Sequence, residues 1–248
     1  MCGLAGFLAD PDRALPLERI ATAMGDTLAH RGPDDSGTWT DPAAAIALAH
    51  RRLSIVDLSP AGHQPMVSAC ERYVLSFNGE IYNHAELRAE LSRAGQAPVW
   101  RGHSDTEVLL AAAAAWGLAR ALEASVGMFA LALWDRRERT LSLARDRLGE
   151  KPLYYARMGT SVLFASEPQA LWVHPDWVGE IDRGALALLM RHNYVPAPHS
   201  IFRNVQKLPP GCICVIGPER GEGAIHRLEE KKNAPALFDR GFDLERRR

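Results

Sequence analysis

Met1-Cys2-Gly3-Leu4-Ala5-Gly6-Phe7-Leu8-Ala9 opens the chain. From Gly3 to Ala9 this stretch is apolar with several small residues, and it stops at Asp10-Pro11, which predicts a buried strand. Cys2 stands at the start of that strand, a rigid mount for a thiol. The small side chain of Cys is the condition under which loss of the initiator Met is expected, and Cys2 would then carry a free α-amine beside its thiol. A thiolate is the reactive nucleophile and needs a base to form near neutral pH. A terminal amine, with an unperturbed pKa of about 7.7–8.0, is well placed to be that base.

Outward from this strand, the chain continues as an ordinary globular sequence. Its 248 residues are 47% hydrophobic and 24% charged, enough for one large domain or two small ones with a substantial core. The net charge of −1 gives no electrostatic reason to expect nucleic acid or an anionic membrane as partner. No apolar run approaches a membrane span, and the N-terminus lacks the basic-then-apolar pattern of a secretory signal, which would in any case remove Cys2. The four cysteines, Cys2, Cys70, Cys212 and Cys214, have neither disulfide-framework nor zinc spacing. The expectation is a cytoplasmic protein with reduced thiols.

Ile20, Met24 and Leu28 recur every fourth residue and predict a helix from Leu17 to Leu28. Arg31 to Gly37 reads as a turn-rich loop, and Ala43 to Leu53 as a strand. Tyr73 to Phe77 alternates as a strand and runs into Asn78-Gly79, after which Leu87 and Leu91 share a helix face. This places Asn78-Gly79 at a strand-to-helix junction with backbone N–H groups free for an anion. Ser104 or Asp105 is the expected N-cap of a helix from Thr106 to Trp116. Val126 to Trp134 is continuously apolar and predicts a strand covered on both faces, with shorter strands at Leu141–Ala144, Leu153–Ala156 and Val162–Ala165. A helix around Ala185–Met190 and a last strand, Cys212–Ile216, follow. Beyond Gly217 mixed charges without apolar periodicity suggest a poorly ordered tail. A layered α/β sandwich of two sheets with helices outside is the economical arrangement.

Amide hydrolysis through a thiolate needs donors at the developing oxyanion and a grip on the charged end of the substrate. Asn78 and Gly79 offer a side-chain amide and a backbone N–H. Arg52 can grip a carboxylate with two parallel hydrogen bonds, and Asp105 can pair with an ammonium, a match to a free amino acid. Taken singly, each has a plainer reading: a solvated charge, a helix cap, a hairpin turn. Charge logic alone does not choose Arg52 over Arg51. His30, His50 and His84 are scattered and receive no ligand or base role.

In combination these stretches resemble the class II, N-terminal-nucleophile glutamine amidotransferases, above all the glutaminase half of glutamine-dependent asparagine synthetases. The resemblance is carried by MCGLAGF (Met1–Phe7), HRGPDDSG (His30–Gly37), HRRLSIVD (His50–Asp57), QPM (Gln64–Met66) and FNGEIYNH (Phe77–His84). GHSDTEV (Gly102–Val108), GMFALALWD (Gly127–Asp135), RDRLGEKPLYY (Arg145–Tyr155) and FASEPQAL (Phe164–Leu171) extend it. NYVPAPHSIF (Asn193–Phe202) and KLPPG (Lys207–Gly211) carry it into the start of the family's linker.

The resemblance implies a four-layer αββα sandwich of two mainly antiparallel sheets, α+β in class. It places the amidotransferase domain with the start of a linker at residues 1–211, its core about 2–175, and a final strand and charged tail at 212–248. It implies Cys2 as nucleophile with its own amine as base, Asn78 and Gly79 as oxyanion hole, and Arg52 on the glutamine α-carboxylate. Asp105 would bind the α-ammonium with help from Glu80, and Arg31 and Gly32 would border the nucleophile. The implied reaction is hydrolysis of L-glutamine to glutamate and ammonia, with no metal or other cofactor. ATP and magnesium belong to the family's synthetase domain, whose Ser-Gly-Gly-x-Asp-Ser loop is absent, since the chain has no adjacent glycines. The chain is then a truncated product, a cloned domain or a free-standing amidotransferase serving a separate synthetase, with self-association left open. Two other readings stand beside it: a non-catalytic glutamine-sensing domain, and an N-terminal-nucleophile hydrolase of a different amide.

Overall fold

The computed structural model describes residues 1–217 and 223–228. Two six-stranded antiparallel sheets face each other. The first contains β1 (Gly3–Leu8), β2 (Asp35–Asp41), β3 (Ile46–Arg52), β8 (Tyr154–Met158), β9 (Ser161–Ala165) and β10 (Val205–Lys207), in the order β10-β8-β9-β1-β3-β2. The second contains β4 (Met66–Val67), β5 (Tyr73–Ile81), β6 (Gly127–Asp135), β7 (Thr140–Arg145), β11 (Cys212–Ile216) and β12 (Ala224–Arg227), in the order β12-β11-β7-β6-β5-β4.

Three apolar cores separate four layers, as the side-chain alternation of each strand dictates. Along β6, Ala130, Ala132 and Trp134 enter the core between the sheets, while Phe129, Leu131 and Leu133 face the outer helices. Along β1, Leu4 and Leu8 face the opposite sheet, and Ala5 and Phe7 face α1 (Leu17–Asp26). The other outer layer holds α2 (His84–Arg93), α3 (Asp105–Trp116) and α4 (Leu118–Ala124), with Leu87, Leu91, Val108 and Leu122 buried against the second sheet. The αββα sandwich is therefore the architecture, and α5 (Arg183–His192) lies beyond it.

Four local readings change. Asp35–Gly37, expected to be loop, begins strand β2, because β3 offers it seven paired positions from Asp35↔Arg52 to Asp41↔Ile46. Pairing overrides the poor strand propensity of Asp, Ser and Gly. The Asn78-Gly79 pair is not at a strand-to-helix junction but inside β5, whose nine residues all pair with β6. The helix α4 had no periodicity long enough to announce it. Finally, β12 pairs with β11 from Cys212↔Arg227 to Val215↔Ala224, within the stretch read as a charged tail. The rest of that tail, 218–222 and 229–248, lies outside the described residues.

Candidate active site

Cys2 precedes β1, which pairs with β3 in the register Gly3↔Arg51. Continuing that register by one residue sets Cys2 opposite Arg52. The Leu53 N–H donates to Cys2 Sγ at 3.4 Å, and the thiol lies 3.6 Å from the Leu53 carbonyl. Burial pushes the thiol pKa up, against the opposing pull of the Leu53 backbone, the terminal charge and Arg52. A thiol so placed stays protonated near neutral pH until a neighbouring base takes its proton.

Arg52 ends β3 and is 7% exposed. Its guanidinium donates to the Ser59 carbonyl at 3.0 Å and to the Asp57 carbonyl, inside the loop that closes over it. That loop turns through a 3-10 segment, Pro60–Gly62, against the guanidinium. A Cβ on Gly62 would collide with Arg52 Nη2 and stand 2.6 Å from its Cζ, so only glycine allows the loop this approach. Asp57 fixes the loop by accepting from the Ser59 N–H and the His103 N–H, both at 2.8 Å. Hydrogen bonding from the Ser59 side chain, with the His103 and Ser59 N–H groups, holds its carboxyl well below the usual range, so it remains anionic.

Across the pocket, β5 supplies Asn78, Gly79 and Glu80. β4 pairs with Val74 and Leu75, so among the described residues no strand pairs with the far edge of β5 from Phe77 onward. Alternate N–H groups point to that edge. The Phe77 N–H is taken by Gln64 Oε1 at 2.7 Å and the Ile81 N–H by Asp105 Oδ2 at 2.9 Å. Gly79 lies between them, and its N–H points the same way, into the pocket. A side chain there would strike the Met128 carbonyl and bring a Cβ to 2.7 Å from Phe129 Cα. Asn78 is 1% exposed and its Nδ2 has no partner among the described residues. An orphaned buried amide costs about 1–3 kcal/mol unless something in the pocket accepts from it.

Asp105 is the first residue of α3, and Ser104, not Asp105, is the cap, with its hydroxyl accepting from Thr106 N at 3.0 Å. Asp105 is 5% exposed and accepts from the Ile81 and Thr106 N–H groups, each at 2.9 Å. Burial nevertheless raises its pKa, outweighing the pull of those two backbone hydrogen bonds. An incoming ammonium would reverse that.

Arg31 borders the thiol from behind. Its Nε donates to the Cys2 carbonyl at 2.9 Å, and its Nη1 pairs with Glu167 at 2.5 Å. Gly32 packs on the Arg51–Arg52 backbone, so Arg31 and Gly32 support the ends of β1 and β3 without lining the pocket.

The pocket therefore gathers Cys2, Arg52, Asn78, Gly79, Glu80 and Asp105 in about 180 Å³. Drug-sized sites hold about 300–1,000 Å³, so this one suits a small molecule with a charged end. Sequence reading gave no role to Gln64, which ties β5 to the Arg52 loop, or to His50. The His50 imidazole donates from Nε2 to the Phe77 carbonyl at 2.9 Å and links the two sheets one residue before Asn78. Both residues occur in the motifs quoted above. Their roles depend on which edge of β5 is unpaired, which only the topology reveals.

Comparison with known proteins agrees with this geometry. A family described as "Glutamine amidotransferase domain" matches residues 1–225. A putative asparagine synthetase [glutamine-hydrolyzing] of Mycobacterium tuberculosis is 41% identical over 242 residues, covering 92% of this chain and 37% of the relative. Asparagine synthetase [glutamine-hydrolyzing] 1 of Bacillus subtilis is 38% identical, covering 88% of this chain and 34% of the relative. The chain thus spans about a third of the length of these curated relatives. In fold it is similar to glutamine phosphoribosylpyrophosphate amidotransferase from B. subtilis, with a TM-score of 0.67 and 20% identity over 93% of this chain and 50% of that one. With a match over nearly its whole length and a thiol, a guanidinium, a carboxylate and an unpaired amide in one pocket, this chain belongs to the glutamine amidotransferase domain family.

Proposed function

We propose that this chain hydrolyses L-glutamine to glutamate and ammonia, with Cys2 as nucleophile once Met1 has been removed. The observation that carries the proposal is the pairing of buried Arg52 and buried Asp105 in the small pocket that also holds Cys2 and the unpaired Asn78 amide. A free amino acid brings the complementary carboxylate and ammonium. Arg52 holds the α-carboxylate, while Asp105 and Glu80 take the α-ammonium, which leaves the side-chain amide directed at the thiol.

The Cys2 α-amine accepts the thiol proton, and the thiolate attacks the amide carbon. The oxyanion forms against Asn78 Nδ2 and the Gly79 N–H, donors fixed in place by the strand. The C–N bond breaks as the amine returns its proton to the leaving nitrogen, releasing ammonia and leaving a thioester on Cys2. Water, deprotonated by the same amine, then hydrolyses the thioester to glutamate and restores the thiol. These steps use no metal or cofactor.

The ammonia passes, on this reading, to a synthetase part in the same or another polypeptide, which the greater length of the similar asparagine synthetases supports. All four cysteines are unpaired, which favours a reducing compartment such as the cytoplasm. No helix among the described residues is long and apolar enough to cross a membrane.

The test is glutamate release from glutamine by the Met1-free chain, with alkylation of Cys2 by a glutamine-like electrophile measured alongside and Cys2→Ala as control. Turnover together with Cys2 labelling supports the proposal. Tight glutamine binding with neither turnover nor labelling would replace it with a sensing role.

A further inference from the structure

Lys151, a third buried charge of the pocket lining beside Arg52 and Asp105, has no ion-pair partner among the described residues and no role in the steps above. It is 6% exposed, although it sits on a surface turn. Its backbone is held firmly: the N–H donates to Asp146 Oδ2 at 3.0 Å, and the carbonyl accepts from Arg145 Nε at 2.7 Å. The Asp146 oxygens accept the N–H groups of Phe129, Leu148, Glu150 and Lys151, and no ion pair joins its carboxylate to Lys151 Nζ among the described residues. The hydrogen-bond partner of Lys151 Nζ is the sulfur of Met1, at 3.5 Å. A thioether is a weak acceptor, and a buried ammonium is poorly served by it.

That sulfur leaves with Met1. Only the Met1 side chain and carbonyl carbon separate it from the Cys2 nitrogen, so removal opens the space between Lys151 Nζ and the newly formed terminal amine. We propose that Lys151 is a positioning residue for the base: in the mature chain its ammonium faces the Cys2 α-amine and lowers that amine's affinity for a proton.

Two cations in a desolvated pocket disfavour each other, and the group with the lower intrinsic proton affinity yields. The α-amine, near 7.7–8.0, yields before a lysine near 10.4. The other charged groups lining the pocket are Arg52 at the end of β3, Asp57 in its loop, Glu80 on β5 and Asp105 at the start of α3; behind it, Arg31 on the Cys2 carbonyl is paired with Glu167, and Asp146 holds the Lys151 backbone. Lys151 and Arg52 thus stand against three carboxylates. Without Lys151 the three carboxylates face Arg52 alone, and the amine holds its proton more tightly, in a form that cannot take the thiol proton. Lys151 lies in the RDRLGEKPLYY stretch, for which the reaction otherwise has no use.

The kinetic arm of the test rests on the glutaminase reading, so a second arm avoids glutamine. Met1-free wild type, Lys151→Met and Lys151→Arg are compared in two ways. The first is the pH dependence of Cys2 α-amine labelling by an amine-directed reagent, read by mass spectrometry. The second is the acid limb of kcat/KM for glutamine. In Lys151→Met both midpoints should rise by about one pH unit, which lowers kcat/KM on the acid side about tenfold, with KM little changed and Lys151→Arg close to wild type. Unshifted labelling in Lys151→Met, or a Lys151→Arg variant shifted as far as Lys151→Met, would overturn the proposal. A shifted labelling midpoint in a chain that leaves glutamine intact would uphold the role of Lys151 and overturn the glutaminase reading instead.

Discussion

Cys2, Arg52 and Asn78 show how differently a residue's chemistry and its position are recorded in a sequence. The chemistry of Cys2 is legible from its place after Met1 alone. Arg52 cannot be told from Arg51 by charge, yet the two differ completely in space: Arg51 pairs with Asp26 on the outside, whereas Arg52 lies under the Pro60–Gly62 turn. A β-strand sends neighbours to opposite faces, so one-residue precision in β3 decides which guanidinium reaches the substrate. Arg52→Ala should therefore raise KM for glutamine about tenfold to a hundredfold, the weight of a charged hydrogen bond, while Arg51→Ala leaves KM near wild type in the same steady-state assay. For Asn78→Ala we expect kcat to fall about 10²–10³-fold with a smaller effect on KM, as for loss of one oxyanion donor. A rise in KM with kcat unchanged would instead make Asn78 a binding residue.

The strand β5 is the element on which the site depends, and it was legible only in part. Its alternation from Tyr73 to Phe77 was plain, but Asn-Gly is a turn signal, and nothing local shows the strand continuing to Ile81. Pairing with β6 carries it through, and the shortness of β4 leaves its N–H edge open to the pocket. His50 and Gln64 then fix that edge at the Phe77 carbonyl and N–H. His50→Leu leaves the Phe77 carbonyl without its buried donor and should lower unfolding stability by about 1–3 kcal/mol in urea, with kcat reduced more than KM is raised. His50→Gln, which restores an N–H donor, should recover most of both. Equal loss in the two variants would show that the imidazole fills space and does not position the strand.

Over the whole molecule, the four layers were readable because each has its own signature: continuous apolar strands between the sheets and every-fourth-residue apolar stripes on α1 and α2. The edges were not, since β2 and β12 owe their existence to neighbours distant in sequence. Two buried histidines, His50 on β3 and His174 just after the 3-10 segment Pro168–Val173, make stability depend on pH. Burial lowers the pKa of each to about 4, so the folded chain keeps them neutral while the unfolded chain protonates them near 6.5. The unfolded state therefore binds more protons between about pH 6.5 and 4, and stability falls as pH drops through that window by up to about 1.4 kcal/mol per pH unit for each histidine. Asp57 and Asp176, whose pKa values are held low, add a further loss below about pH 4. Urea midpoints at pH 7, 6 and 5 should decline steadily, and His174→Gln should flatten the slope; a level profile would contradict the neutral buried state. The central claim concerns the N-terminus, and it is tested most directly by measuring glutamate release from glutamine by two purified forms of this chain, one with Met1 retained and one starting at Cys2, each verified by intact mass. We expect steady turnover from the form starting at Cys2 and none from the form keeping Met1. Equal rates from both, or turnover that survives Cys2→Ala, would contradict the account.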